Sequence, residues 1–360
     1  MDSKIQKTLD ETAQKEDKKI KVLIIDDSPL MCIVVSQILS EDERFEIVGR
    51  ALNGREALEI LKTTKCDLCT LDVNMPGMNG LTVLKHIMIR YPTPTLMVSA
   101  FTSEGSKVSF DALRYGAIDF FHKPSMDNAA SLAEQGEQLR RKAINAARVQ
   151  LRAAQYLRLK KMQKKSPPPK DELVESVVIM HGAIGSYASV LNLLPLMEET
   201  PKSPIIISMA VQGQYLEAFV EYLRGYLPYD MAVASERQEV RPGSLYFIPR
   251  ELAGIFDYID GKLILETAPR PELNEKEGGI DLLLLSASEH FGSKTLAIFL
   301  SGENSQGSTG AEELLRLSGT VMTQQLETCL RPELPKAILE HQNAKSATLL
   351  ELAKKTASWS

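Results

Sequence analysis

Residues 22–32 read VLIIDDSPLMC: an apolar run stops on two adjacent carboxylates, Asp26 and Asp27, and a Ser-Pro pair follows. A short Val/Ile/Leu run of this kind predicts a strand covered on both faces, and Ser before Pro opens a helix. The same grammar continues outward. Between residues 21 and 124, strand-like runs KVLIID, EIVGRA, LCTLD, TLMVSA and IDFFHKP alternate with helical patterns MCIVVSQIL, GREALEILK, LTVLKHIMI and VSFDALRYG. Strand and helix in strict alternation predict a doubly wound parallel sheet, flavodoxin-like, with ligands at the carboxyl ends of its strands.

Five polar residues fall at those ends: Asp26 and Asp27 after the first strand, Asp72 after the third, Ser99 after the fourth and Lys123 after the fifth. Any one of them alone is an ordinary cap or turn residue. Together they predict one rim at which clustered carboxylates hold Mg²⁺ and Asp72 acts as a nucleophile toward phosphorus. Lys123 then screens the incoming phosphoryl charge, and Ser99 bonds its oxygens.

The phrases VLIIDDSPLMC, LDVNMPGMNGL, VSA and GAIDFFHKP closely resemble the receiver domain of two-component response regulators. The resemblance implies that a histidine kinase or a small phosphodonor phosphorylates Asp72. It also implies that Asp26, Asp27 and Asp72 hold Mg²⁺ with the Asn74 backbone carbonyl, and that Ser99 and Phe120 form the switch pair. Pro29, Cys32 and Asn79 depart from common receiver wording without removing a catalytic group.

Composition bounds the rest. A chain of 360 residues is too long for one ordinary core. With 44% apolar residues, 25% charged residues and a formal charge of -5, it reads as a soluble, cytoplasmic protein with no global drive toward nucleic acid or membrane insertion. Four cysteines make no disulfide framework, and the Cys66–Cys69 spacing, lacking a second pair, reads as packing rather than redox or metal chemistry. Five segments are expected: a disordered tail at 1–20, a receiver at 21–125, a basic helical linker at 126–175, a second α/β domain at 176–345 and a C-terminal helix at 346–360. From Gln138 to Lys170 the linker carries eleven Lys or Arg and no Asp or Glu, before SPPP stops any helix. It reads as a solvated connector or a docking element for an acidic surface.

The second half, in VVIMHGAIGSYASVLNLLP, PIIISMAVQGQYLEAFVEYL, VRPGSLYFIP, the stretch 278–315 and GTVMTQQLETCLRPELPKAI, resembles the catalytic domain of chemotaxis protein-glutamate methylesterases. That family joins a receiver to an α/β serine hydrolase in this order. The resemblance implies a serine nucleophile in a Gly-Ala-Ser turn, a histidine after the next strand and an aspartate in a Gly-rich loop. At the corresponding positions this chain has Ile184, Ala210 and Gln306: no nucleophile, no base and no carboxylate. The loop Ser301–Gly307 keeps Gly302 and Gly307.

The expectation is therefore a phosphorylation-controlled response regulator of a chemotaxis-type system, whose methylesterase-like output domain has no catalytic residues at the triad positions and serves as a binding or regulatory module. A histidine kinase is the phosphodonor, and chemoreceptors or other signalling proteins are the prospective partners. The alternative is an active methylesterase rebuilt from Ser186, His181 or His290, and Glu303 or Asp281. A DNA-binding regulator is disfavoured by the acidic chain and the absence of a helix-turn-helix pattern.

Overall fold

The computed structural model describes residues 19–99, 103–124, 129–149, 173–269 and 279–360. The chain divides into two compact units, Met1–Leu151 and Arg152–Ser360.

In the first unit the alternating runs become β1 (Ile20–Ile25), α1 (Pro29–Ser40), β2 (Phe45–Ala51), α2 (Gly54–Thr63), β3 (Leu68–Asp72), α3 (Gly80–Arg90), β4 (Thr95–Ser99), α4 (Ser103–Arg114), β5 (Asp119–His122) and α5 (Ala129–Ala147). The strands pair in parallel in the order β2-β1-β3-β4-β5. Every residue of β3 and β4 is buried, which is why both read as unbroken apolar runs rather than alternating ones. Caps set the helix starts. Ser28 accepts from the Met31 amide with Pro29 in the first turn, and Asn53 and Asn79 accept from Glu56 and Thr82. The strand order reverses between β1 and β3, so the crevice for a ligand lies where Asp26, Asp27 and Asp72 emerge.

The stretch read as a linker from residue 126, of which 126–128 lie outside the described residues, contains α5, and α5 is part of this unit. Leu139 and Ala143 are fully buried, Arg140 donates to the Ile38 carbonyl and pairs with Glu41, and Lys142 donates to Asp119 Oδ2 at 2.6 Å. Arg140 and Lys142 read as solvated in sequence because their acceptors, Glu41 and Asp119, are distant along the chain. The remainder of the expected connector, 150–172, lies outside the described residues, as does the expected tail up to residue 18; Ile20 is already in β1.

The second unit starts with β6 (Val177–Gly182), α6 (Ser186–Leu193), β7 (Ile205–Met209), α7 (Gly213–Arg224), β8 (Met231–Val233), β9 (Arg237–Glu239), β10 (Leu245–Ile248), β11 (Leu252–Ile259) and β12 (Lys262–Pro269). It continues with α8 (Gly279–Phe291), β13 (Thr295–Phe299), α9 (Ser308–Arg316), β14 (Thr320–Gln324), α10 (Glu333–Ile338), β15 (Lys345–Ala347) and α11 (Leu349–Ser358). Seven strands form a parallel sheet in the order β15-β14-β13-β6-β7-β10-β8. Its direction of winding reverses beside β6, between β7 and β13.

A separate antiparallel sheet, β11-β12-β9, is absent from the sequence reading. It closes over α8, where Phe256, Leu263 and Leu265 join Ile280, Leu283 and Leu284 in one core. The C-terminal segment is not an appended helix: β15 belongs to the sheet, and α11 buries Leu352 and Ala353 completely behind a Thr348/Glu351 capping box.

Candidate functional site

At the first rim, β1 delivers Asp26 and Asp27 directly after Ile25, β3 ends on Asp72 and β4 ends on Ser99. Lys123 follows β5 and is tied to β4 by its own amide, which donates to the Ser99 carbonyl at 2.9 Å. One ligand atom from each of Asp26, Asp27 and Asp72 lies within 4.8 Å of the others. Lys123 Nζ stands 2.8 Å from Asp26 Oδ2 and 2.9 Å from Asp72 Oδ2. Gly80 is required beneath this rim: a Cβ there would lie 2.1 Å from the Asp72 carbonyl oxygen.

Electrostatics decides what such a rim accepts. Three carboxylates against one ammonium leave an excess of negative charge, and Asp72 is almost fully buried with the Lys123 ammonium 2.9 Å from its Oδ2. Burial pushes the Asp72 carboxyl above its ordinary range, an effect the Lys123 ammonium opposes. Burial disfavours the Lys123 charge as well, but its bonds to Asp26 and Asp72 outweigh that and hold it above the usual lysine value. A hard divalent cation with oxygen preference, such as Mg²⁺, fits this donor set and its charge. Ser99 and Phe120 are both buried on neighbouring strands, and Phe120 packs edge-on against Phe110 at 5.7 Å. Asn74 follows two residues after Asp72, on the exposed side of the rim.

In the second unit the segments bearing Ile184, Ala210 and Gln306 leave the adjacent strands β6, β7 and β13 at their carboxyl ends. Backbone bonds stitch these exits together: Ala183 N donates to Ser301 O at 3.0 Å and Ala210 N to Gly182 O at 3.1 Å. Ile184 lies in the turn before α6. Its N–H donates to Glu303 Oε2 at 2.9 Å, and its carbonyl accepts from Ser301 Oγ at 2.9 Å. Ala210 is exposed, and Gln306 is partly buried with its amide donating to Asn304 Oδ1 at 3.2 Å. Gly185 and Gly307 both hold φ near +88°, a left-handed conformation suited to glycine at the two helix entries.

Residues 22–134 match the response regulator receiver domain, and residues 177–356 match CheB methylesterase. Over 328 residues the chain is 31% identical to the protein-glutamate methylesterase/protein-glutamine glutaminase of Pyrococcus horikoshii, covering 90% of this chain and 88% of that protein. The chain belongs to the protein-glutamate methylesterase family. The similarly named protein of Thermotoga maritima is 29% identical over 324 residues, covering 90% of this chain and 93% of its own length. The crystal structure of the Thermotoga maritima CheB methylesterase catalytic domain aligns with a TM-score of 0.48 at 22% identity, over 51% of this chain and 98% of that one.

In this methylesterase-family chain His181, His290 and Asp281, considered for a rebuilt hydrolase, bond to separate partners. His181 Nδ1 lies 3.2 Å from the Ser208 carbonyl, and His290 Nε2 donates to the Phe256 carbonyl at 2.9 Å. Asp281 accepts from the Gly307 and Gly310 amides at the start of α9, at 3.0 and 2.9 Å. Ser186 is fully buried, and among the described residues its hydroxyl has no hydrogen-bond partner.

Two contacts were missed by the sequence reading. Glu303 reaches the Ile184 amide, and Ser308 Oγ meets His341 Nε2 at 2.7 Å. Among the described residues no carboxylate is bonded to His341, so the pair stands as two members without a third. No linear spacing announces it, because Ser308 opens α9 and His341 follows α10. No helix among the described residues is long and apolar enough to cross a membrane.

Proposed function

We propose that this chain is a phosphorylation-controlled response regulator whose second domain binds rather than hydrolyses. The observation that carries the first half is the buried Asp72 carboxylate, grouped with Asp26 and Asp27 and faced by Lys123. An Asp72 oxygen attacks the phosphorus of a histidine kinase phosphohistidine. The new O–P bond forms as the N–P bond breaks, and the imidazole leaves with a proton from solvent. Asp26, Asp27, Asp72 and the Asn74 carbonyl would hold Mg²⁺, which would supply charge neutralisation for the transferred group. Lys123 pairs with the phosphoryl oxygens, and the Ser99 hydroxyl bonds them, drawing Phe120 with it as the switch.

The second half rests on Ile184, Ala210 and Gln306, which offer no nucleophilic atom, no proton acceptor and no charge to orient an imidazole. The relatives' names, protein-glutamate methylesterases, support protein-glutamate side chains as the class of group recognised at this edge. Without a triad the domain recognises such a segment and does not turn it over. Chemoreceptors are the partners this reading favours.

A second reading is favoured by the Ser308–His341 pair: a hydrolase in which His341 takes the Ser308 proton during attack on an ester. Methyl-ester turnover by the purified protein, compared with Ser308→Ala, separates the two. The binding-module reading expects no turnover above background in either protein. Turnover abolished by Ser308→Ala favours the hydrolase.

A further inference from the structure

Lys142 of α5 reaches Phe120 of β5 twice. Its Nζ donates to the Phe120 carbonyl at 3.0 Å, and the same ammonium stands 5.7 Å from the centre of the Phe120 ring. Asp119 completes the clasp: Oδ2 accepts from Lys142 Nζ at 2.6 Å, while Oδ1 accepts from the Phe120 amide at 2.7 Å. One carboxylate therefore bonds both the backbone of Phe120 and the cation over its ring. Phe110 of α4 meets that ring edge-on at 5.7 Å.

The ammonium comes from a helix that is fixed without it. Leu139 and Ala143 bury α5 against this unit, and Arg140 ties it to α1 through the Ile38 carbonyl and the Glu41 carboxylate. A lysine on its flexible stem ordinarily keeps its ammonium in water. Here the side chain is 31% exposed, and two acceptors on β5 hold its end in one place. A half-exposed pair of this kind adds little to stability. What it adds is position: an ordered cation against a ring face attracts the ring and opposes its departure.

We propose that Lys142 is a positioning residue for the Asp72 site: it holds the Phe120 ring in its resting place and so sets how readily the phosphorylated state is reached. This rests on the reading of Phe120 as the switch drawn by Ser99, on the neighbouring strand β4. A ring that follows Ser99 leaves the Lys142 ammonium behind, because Asp119 and the Phe120 carbonyl keep the ammonium on β5. The attraction between cation and ring is present in the resting state and lost in the phosphorylated one, so it favours the first. By linkage, the same contact weakens the binding of any phosphoryl mimic at Asp72.

The test measures, by calorimetry on the full-length protein with Mg²⁺, the affinity for beryllofluoride, which mimics a phosphoryl group on a carboxylate. Lys142→Met keeps an unbranched stem beside the ring and removes the charge, so beryllofluoride should bind about two- to fivefold more tightly, the range of a cation–ring contact. Affinity for Mg²⁺ alone should be unchanged, whereas a merely loosened fold would weaken both. In a Phe120→Leu background, where no ring remains, Lys142→Met should have no effect on beryllofluoride binding. Lys142→Gln should give the same readings and serves if the methionine disturbs the packing. Equal or weaker beryllofluoride binding in the folded Lys142 variants, or an equal gain in the Phe120→Leu background, would overturn the proposal and leave Asp72 as the acceptor. Failure of the wild type to bind beryllofluoride would overturn the regulator reading, and this proposal with it.

Discussion

Lys123 Nζ lies 2.9 Å from Asp72 Oδ2, joining the carboxyl ends of β5 and β3 across β4. Asp72 has almost no solvent to fall back on, so the ammonium is what keeps a carboxylate tolerable at that depth. Lys123→Ala should therefore cost about 3 kcal/mol of stability, the scale for removing one partner of a buried pair. Urea denaturation measures it. Added Mg²⁺ should restore part of the loss by binding only the folded state, while phosphoryl transfer stays slowed by at least about tenfold.

Magnesium itself should raise the melting temperature of the wild type, with a midpoint that moves with Mg²⁺ concentration. Asp72→Asn removes a charged ligand and should abolish most of that dependence. An undiminished Mg²⁺ response in this variant would mean that the cation binds elsewhere.

Gly80→Ala tests the support beneath the rim. The new Cβ would sit 2.1 Å from the Asp72 carbonyl oxygen, a backbone atom that cannot rotate away. Overpacking of this kind costs about 1–3 kcal/mol, and here it should also displace Asp72 and lower its labelling. Calorimetry and phosphodonor labelling read the two effects together.

The thiols should be unreactive at neutral pH. Burial pushes Cys66 up to about 11 and Cys329 up to about 12, and raises Cys32 and Cys69. Since the thiolate is the nucleophile, iodoacetamide should modify native Cys66 about a hundredfold more slowly at pH 8 than an ordinary thiol. The rate should climb with pH until about 11. Rapid alkylation of Cys66 at pH 8 would contradict the burial argument and reopen a redox role for the Cys66–Cys69 pair.

The first sheet was legible because its strands are covered on both faces and end in charged residues, so local composition and global position agree. Three other features were hidden, each for its own physical reason. The β11–β12 hairpin turns at Asp260-Gly261, both with positive φ, and that dipeptide is its main local signal, because the two half-exposed strands carry no continuous apolar run. Helix α5 looked like a solvated connector because the acceptors of Arg140 and Lys142, Glu41 and Asp119, are far away in sequence. The contacts of Ile184 with Glu303 and of Ser308 with His341 join segments more than thirty residues apart, and no periodicity encodes them. The rim of Asp26, Asp27, Asp72 and Lys123 is equally long-range, yet it could be anticipated, because parallel strands deliver their carboxyl ends to one edge.

The account is tested most directly by the intact mass of the wild-type protein and of Asp72→Asn after incubation with acetyl phosphate and Mg²⁺. The wild type should gain one acid-stable, base-labile phosphoryl group that borohydride reduction maps to Asp72, and the variant should gain none. A phosphoryl group on Asp72→Asn, or one mapped to any other residue of the wild type, would contradict the assignment of Asp72 as the acceptor.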